Sequence, residues 1–154
     1  MANLDSFYAA WGPRLLSLLR IVSAFMLMAH GMQKVFGLLV PPPQPGAPPR
    51  PPFQFELMTW QGVGGVLELA GGLLLLLGLF TRPVAFILSG MMAVAYWKFH
   101  AWGNSMWPIL NRGELAALYC FVFLYLSAAG GGPWSVDWCL RRRRGDALTD
   151  DAMR

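Results

Sequence analysis

The sequence predicts an all-α fold, an integral-membrane four-helix bundle with both termini on the cytoplasmic side and a Pro-rich outer loop between helices 1 and 2. Three observations predict it. The chain is 56% hydrophobic and only 13% charged, against about 45–50% and about 25% in soluble domains. Four apolar windows, 15–36, 57–80, 84–102 and 114–130, come close to the length of about 20 residues that crosses a hydrocarbon core. The run Arg141–Arg144 sits directly behind the last of them, where membrane proteins carry cytoplasmic positive charge.

Each window reads as helix because a segment alone in lipid must satisfy its own backbone hydrogen bonds. The first, Leu15 to Phe36, is interrupted by Arg20, His30 and Lys34, and the second, Leu57 to Phe80, carries the single acid Glu68. Thr81-Arg82-Pro83 is a tight turn that opens the third with proline in its first turn, so spans two and three form a hairpin. Asn111 followed by Glu114 has the spacing of a capping box opening the fourth, and Gly130-Gly131-Gly132-Pro133 closes it. An even number of spans puts both termini on one side, with Arg14, Arg20 and Arg82 at the same level as the Arg run. A basic and then polar tail, 141–154, completes a single domain, 1–154. The first apolar segment is expected to stay in place, because the first thirteen residues carry no Lys or Arg and no cleavage site follows.

The net charge of +4 does not call for nucleic acid, since four of the twelve basic residues lie in the one membrane-flanking run. The partner read from composition is lipid. Cys120 and Cys139 are nineteen positions apart, without the spacing of a redox pair or metal site, and no metal is expected. The loop segment 41–52 holds eight prolines in twelve positions, so it reads as polyproline II that reaches about 37 Å, far more than the about 8–10 Å between neighbouring helices. It is either a solvated spacer or a docking segment for a partner.

Glu68 lies eleven residues from Leu57 and twelve from Phe80, near the bilayer midplane, where a carboxylate must face the bundle, be protonated or be paired. Gly64, Gly65, Gly71 and Gly72 around it permit close helix approach. His30 and Lys34 are four apart on one face of the first helix and are expected to turn toward the second, bringing Glu68 within reach. Snorkelling to the interface is the competing reading for Lys34 and the simplest one for Arg20. Together with His100 and Glu114, these groups collect in the outer half of the bundle and outline an outward-facing polar pocket walled by Trp60, Tyr96, Trp102 and Tyr119. The inner half is expected to be almost uncharged, with Arg82 and Asp137 meeting at the cytoplasmic face.

Leu19-Arg20 followed by Ala29-His30-Gly31-Met32-Gln33-Lys34-Val35-Phe36-Gly37 resembles the first-helix signature of the DoxX family. Glu68-Leu69-Ala70-Gly71-Gly72 through Gly78-Leu79-Phe80-Thr81-Arg82 resembles its second helix, Glu114-Leu115-Ala116 the opening of its fourth, and Gly132-Pro133-Trp134-Ser135-Val136-Asp137 its closing element. The resemblance spans Leu15 to Asp137 and leaves out the Pro-rich loop, the stretch Trp97–Trp107 and the Arg run. It implies a four-helix protein of a bacterial-type inner membrane engaged in redox work, since relatives include a subunit of a thiosulfate:quinone oxidoreductase and proteins of quinone and thiol stress.

On that footing Glu68 and His30 are the expected proton-handling, catalytic pair. Lys34, Glu114, His100, Trp60 and Tyr96 are the expected ligand-binding residues, and Arg20, Arg82 and Asp137 structural family positions. No cofactor motif is evident, and a quinone is the ligand the resemblance admits, with a soluble redox partner protein and self-association into a homo-oligomer alongside. Two other readings stay open: a proton-coupled transporter of a small, partly apolar solute, and a non-catalytic scaffold. The chain's status as an enzyme is left undecided.

Overall fold

A computed structural model describes residues 2–43, 45–46 and 48–152, with backbone alone at 2, 3, 144 and 146–152. The Arg144 side chain and the last two tail residues therefore lie outside the described residues. No strand occurs among the described residues. The helices are α1 (Ala2–Phe36), α2 (Trp60–Leu77), α3 (Thr81–Ala95) with a π-helical continuation (Tyr96–Ala101), the short α4 (Pro108–Asn111), α5 (Glu114–Ala129) and α6 (Val136–Ala152). Leu4–Phe36, Trp60–Leu77 and Thr81–Ala101 are long and apolar enough to cross a membrane, and α5 is an apolar helix of 16 residues. The chain is a multi-pass integral membrane protein.

α1 runs unbroken from Ala2 through Pro13, where the sequence suggested a start at Leu15. Pro13 lacks the donor for one helical bond, and its own carbonyl accepts from Ser17 Oγ. α2 is capped by Thr59, whose side chain accepts from Gly62 N at 3.0 Å. It ends on Gly78 at φ 70°, a left-handed position suited to glycine. A side chain there would also collide with Ser135 and the Arg20 guanidinium. α5 starts differently from the expected capping box. Its cap is Gly113, and Asn111 Oδ1 accepts from Gly113 N at 2.7 Å, which leaves Glu114 at the first helical position.

Two close pairs make the bundle. α1 packs on α2 and α3 on α5, while α2 and α3, although joined by a tight turn, touch each other much less. The α1–α2 seam is set by glycines: a Cβ on Gly31 would lie 2.6 Å from Leu69 N, and one on Gly65 2.7 Å from Lys34 Cβ. Gly64 faces the other way, with nothing within 4 Å of its Cβ position. The apolar core gathers Ala24, Leu27, Leu75, Leu88, Phe123 and Leu126 from all four long helices.

The end of the bundle that carries Arg82 is closed by a polar network. Arg20 is fully buried. Its Nε donates to Gly131 O at 2.9 Å, its Nη1 to Leu75 O and, at 2.7 Å, to Leu76 O, and its Nη2 to Trp134 O at 2.5 Å. Arg20 therefore does not snorkel, and this half of the bundle does hold a charge. The carbonyls at the C-terminal end of α2 stabilise it in place. The expected Arg82–Asp137 contact is also absent. Asp137 Oδ1 and Oδ2 instead accept from Phe80 N and Thr81 N at 2.9 and 2.8 Å, capping α3. Arg82 Nη1 donates to Ala128 O at 2.6 Å, capping the C-terminal end of α5. Each charge has found a helix end of opposite dipole sign, which satisfies orphan backbone groups that an ion pair would have left bare.

Candidate functional site

The opposite end is organised around Glu68. The residue is 4% exposed, and its Oε1 accepts from Lys34 Nζ at 2.5 Å. Lys34 reaches it because the Gly31–Gly65 seam holds α1 and α2 close and because Lys34, four residues beyond His30, shares the face that looks at α2. This is the only ion pair among the described residues. Glu68 Oε2 is buried without a hydrogen-bond partner, and so is the hydroxyl of Tyr119.

Two cavities meet at this pair. The larger, about 530 Å³, is a groove between α2 and α3, where the two helix pairs lean apart. Its wall is mostly apolar, with Trp60, Leu67, Ile87, Met91 and Phe99 among its residues. Several of these face outward, so the groove opens on the surface that lipid covers. Gly64 contributes bare backbone. Lys34, Glu68 and His100 form its polar end. The smaller cavity, about 290 Å³, lies toward α1 and α5 and is lined by His30, Lys34, Glu68, His100, Arg112 and Tyr119, among others. Lys34 also lines a third space of about 880 Å³, beneath the Pro-rich loop. Residues 50–56 border this space, and the Phe53 ring lies where a Gly37 Cβ would stand.

The π-helical turn positions His100. In α geometry, residues three or four apart share a face. The i→i+5 pattern of a π-helix, frequent at functional sites, instead brings His100 beside Ala95 and Met92 on both cavities. His100 Nδ1 lies 3.2 Å from Asn111 O, which ties the turn to α4. Trp60 is overlaid by Lys98, whose Nζ is 3.9 Å from the ring centroid.

The structure thus brings together Glu68, Lys34, His30, His100 and Trp60. It does not bring Glu114 or Tyr96 to either cavity. Glu114 is exposed at the start of α5, and Tyr96 Oη donates to Met106 O at 2.6 Å, bracing the loop that follows. Trp102 is 82% exposed on a separate surface groove with Trp97 and Lys98. Arg112 is a charged wall residue that the sequence did not point to. It holds φ 59° at the end of α4, and this conformation is not written in local residue type. Among the described residues no three His, Cys, Asp or Glu side chains gather as metal ligands, and both cysteines are free thiols.

Fold and site together define a multi-pass helical membrane protein with a buried acid, paired to a partly exposed lysine, beside a lipid-side groove. Residues 15–101 match the DoxX family model, and the chain belongs to that family. An uncharacterized protein of Haemophilus influenzae is 40% identical over 139 residues, covering 89% of this chain and 96% of its own. No solved structure matches.

Proposed function

We propose that this protein is a quinone-linked membrane subunit that receives a ring-shaped, partly apolar ligand from the bilayer in the α2–α3 groove. The observation that carries the reading is the Glu68–Lys34 pair at the polar end of an apolar, aromatic- and Met-lined groove of about 530 Å³, within the size range of small-molecule sites. Glu68 is the proton-handling group. His30, on the wall of the smaller cavity, relays protons toward the nearby bundle end. Lys34 and His100 fix the polar end of the ring, and a soluble redox partner protein exchanges the electrons. Both cavities lie at the Glu68 end, and at the other the buried Arg20 ties α1, α2 and the Gly131–Trp134 segment together, which favours ligand binding over passage across the bundle.

In this reading the Arg82 end faces the cytoplasm across the inner membrane and the Glu68 cavities face outward, which the Arg141–Arg144 run supports. A reporter fused after Arg144 is expected to read as cytoplasmic and one inserted at Gly46 as extracytoplasmic; both on one side would overturn this orientation. Groove binding is tested with Gly64→Phe, which fills open space without pressing on backbone. A short-chain quinone should bind the unmodified protein in nanodiscs, and the variant should lose at least about tenfold in affinity. Unchanged affinity would sink the groove as the binding site.

A further inference from the structure

Glu68 gives its two carboxylate oxygens different surroundings. Oε1 is held by the Lys34 ammonium at 2.5 Å. A carboxylate held by an ammonium accepts hydrogen bonds and donates none, yet Oε2 is buried without a hydrogen-bond partner. Lys34 differs: its side chain is 34% exposed and it borders the large space under the Pro-rich loop, where water can take its remaining hydrogens. The unmet demand at Glu68 is therefore for a donor. The second unpartnered group, the Tyr119 hydroxyl, is on the wall of the cavity that Glu68 shares. A hydroxyl, unlike an amine, can donate without adding a second cation beside Lys34. The groove wall of Trp60, Phe99 and Met91 suits a flat ring on its faces.

We propose that the site selects the reduced, hydroxyl-bearing form of its ring ligand, a hydroquinone or related phenol, whose O–H donates to Glu68 Oε2. The inference rests on the quinone reading above and deepens it, because the oxidised quinone offers only carbonyl acceptors and leaves Oε2 unpaired. A site built around a hydroxyl discriminates against an analogue that lacks it, since its own buried polar group then goes unsatisfied.

The test is calorimetric titration of the full-length protein in nanodiscs, under anaerobic conditions, with a short-chain hydroquinone, the matching quinone and the hydroquinone dimethyl ether. The hydroquinone should bind at least about tenfold more tightly than the quinone, and the ether, which keeps the ring but has no donor, should bind no better than the quinone. Glu68→Gln should reduce the preference to about twofold or less, because an amide both donates and accepts. Quinone binding as tight as hydroquinone binding would overturn the selection and leave the groove reading intact. Absence of binding by all three would overturn both. The ether comparison needs no variant, so the proposal is decided even if Glu68→Gln fails to fold.

Discussion

Arg20 and Glu68 are both ionisable side chains buried within apolar helices, and the two ends of the bundle treat them in opposite ways. Around Arg20 the donors are spent on the carbonyls of Leu75, Leu76, Gly131 and Trp134, and Ser17, Ser135 and Asp137 close further backbone bonds nearby. One hydroxyl there, Thr81 Oγ1, is left without a partner. Around Glu68 one oxygen is paired, the other is not, and cavities border the pair. Burying a charge is costly in both places. A guanidinium whose nitrogens all donate to backbone carbonyls offsets that cost through structure alone, whereas a half-satisfied pair beside open space keeps polar capacity for a ligand. The first end is a latch and the second a site.

The largest expected effect tests the latch. Arg20→Met leaves several carbonyls of α2 and the Gly131–Trp134 segment without their donor, and should cost about 3–5 kcal/mol in reversible unfolding from detergent micelles, the size seen when one side of a buried charged network is removed. A loss below about 1 kcal/mol would mean that water replaces the guanidinium and that the two ends differ less than described. Glu68→Gln should cost only about 1 kcal/mol in the same measurement, because the amide still accepts from Lys34 and the partly exposed Lys34 can reach water. A cost near that of Arg20→Met would make Glu68 a staple like its counterpart.

The smallest effect sharpens the account of the latch end. Asp137→Ala removes the cap of α3 and should cost about 1 kcal/mol, and Arg82→Ala about 0.5 kcal/mol through the α5 terminus. Because the two side chains serve different helix ends and share no direct contact, the double variant should be additive to within about 0.5 kcal/mol. Coupling above about 1 kcal/mol would restore the direct ion pair.

The all-helical membrane architecture was legible in the sequence because hydrocarbon imposes a simple local rule, a long apolar segment with its backbone bonds closed. The Glu68–Lys34 contact was also legible, since an acid amid a span must find a partner and the glycines and the His30–Lys34 spacing named the face. Arg20 was misread as a snorkelling group and Asp137 as its neighbour's ion-pair partner. Both errors have one source: whether a charge near a helix end meets water, an opposite charge or backbone carbonyls depends on which other helix ends arrive at that level, and residue spacing within one helix does not carry this. The same holds for His100, which reaches the cavities only through a π-turn, and for Arg112, placed by a left-handed residue at the end of α4.

By itself, then, the sequence determined the spans and the acid that must be compensated, because both follow from transfer free energies along a single helix. Tertiary structure alone decided that α1–α2 and α3–α5 are the close pairs, that a groove opens between α2 and α3 with Glu68 on its wall, and that Glu68 Oε2 is left unpaired. These are properties of how four helices share space, fixed by long-range packing that no local pattern encodes.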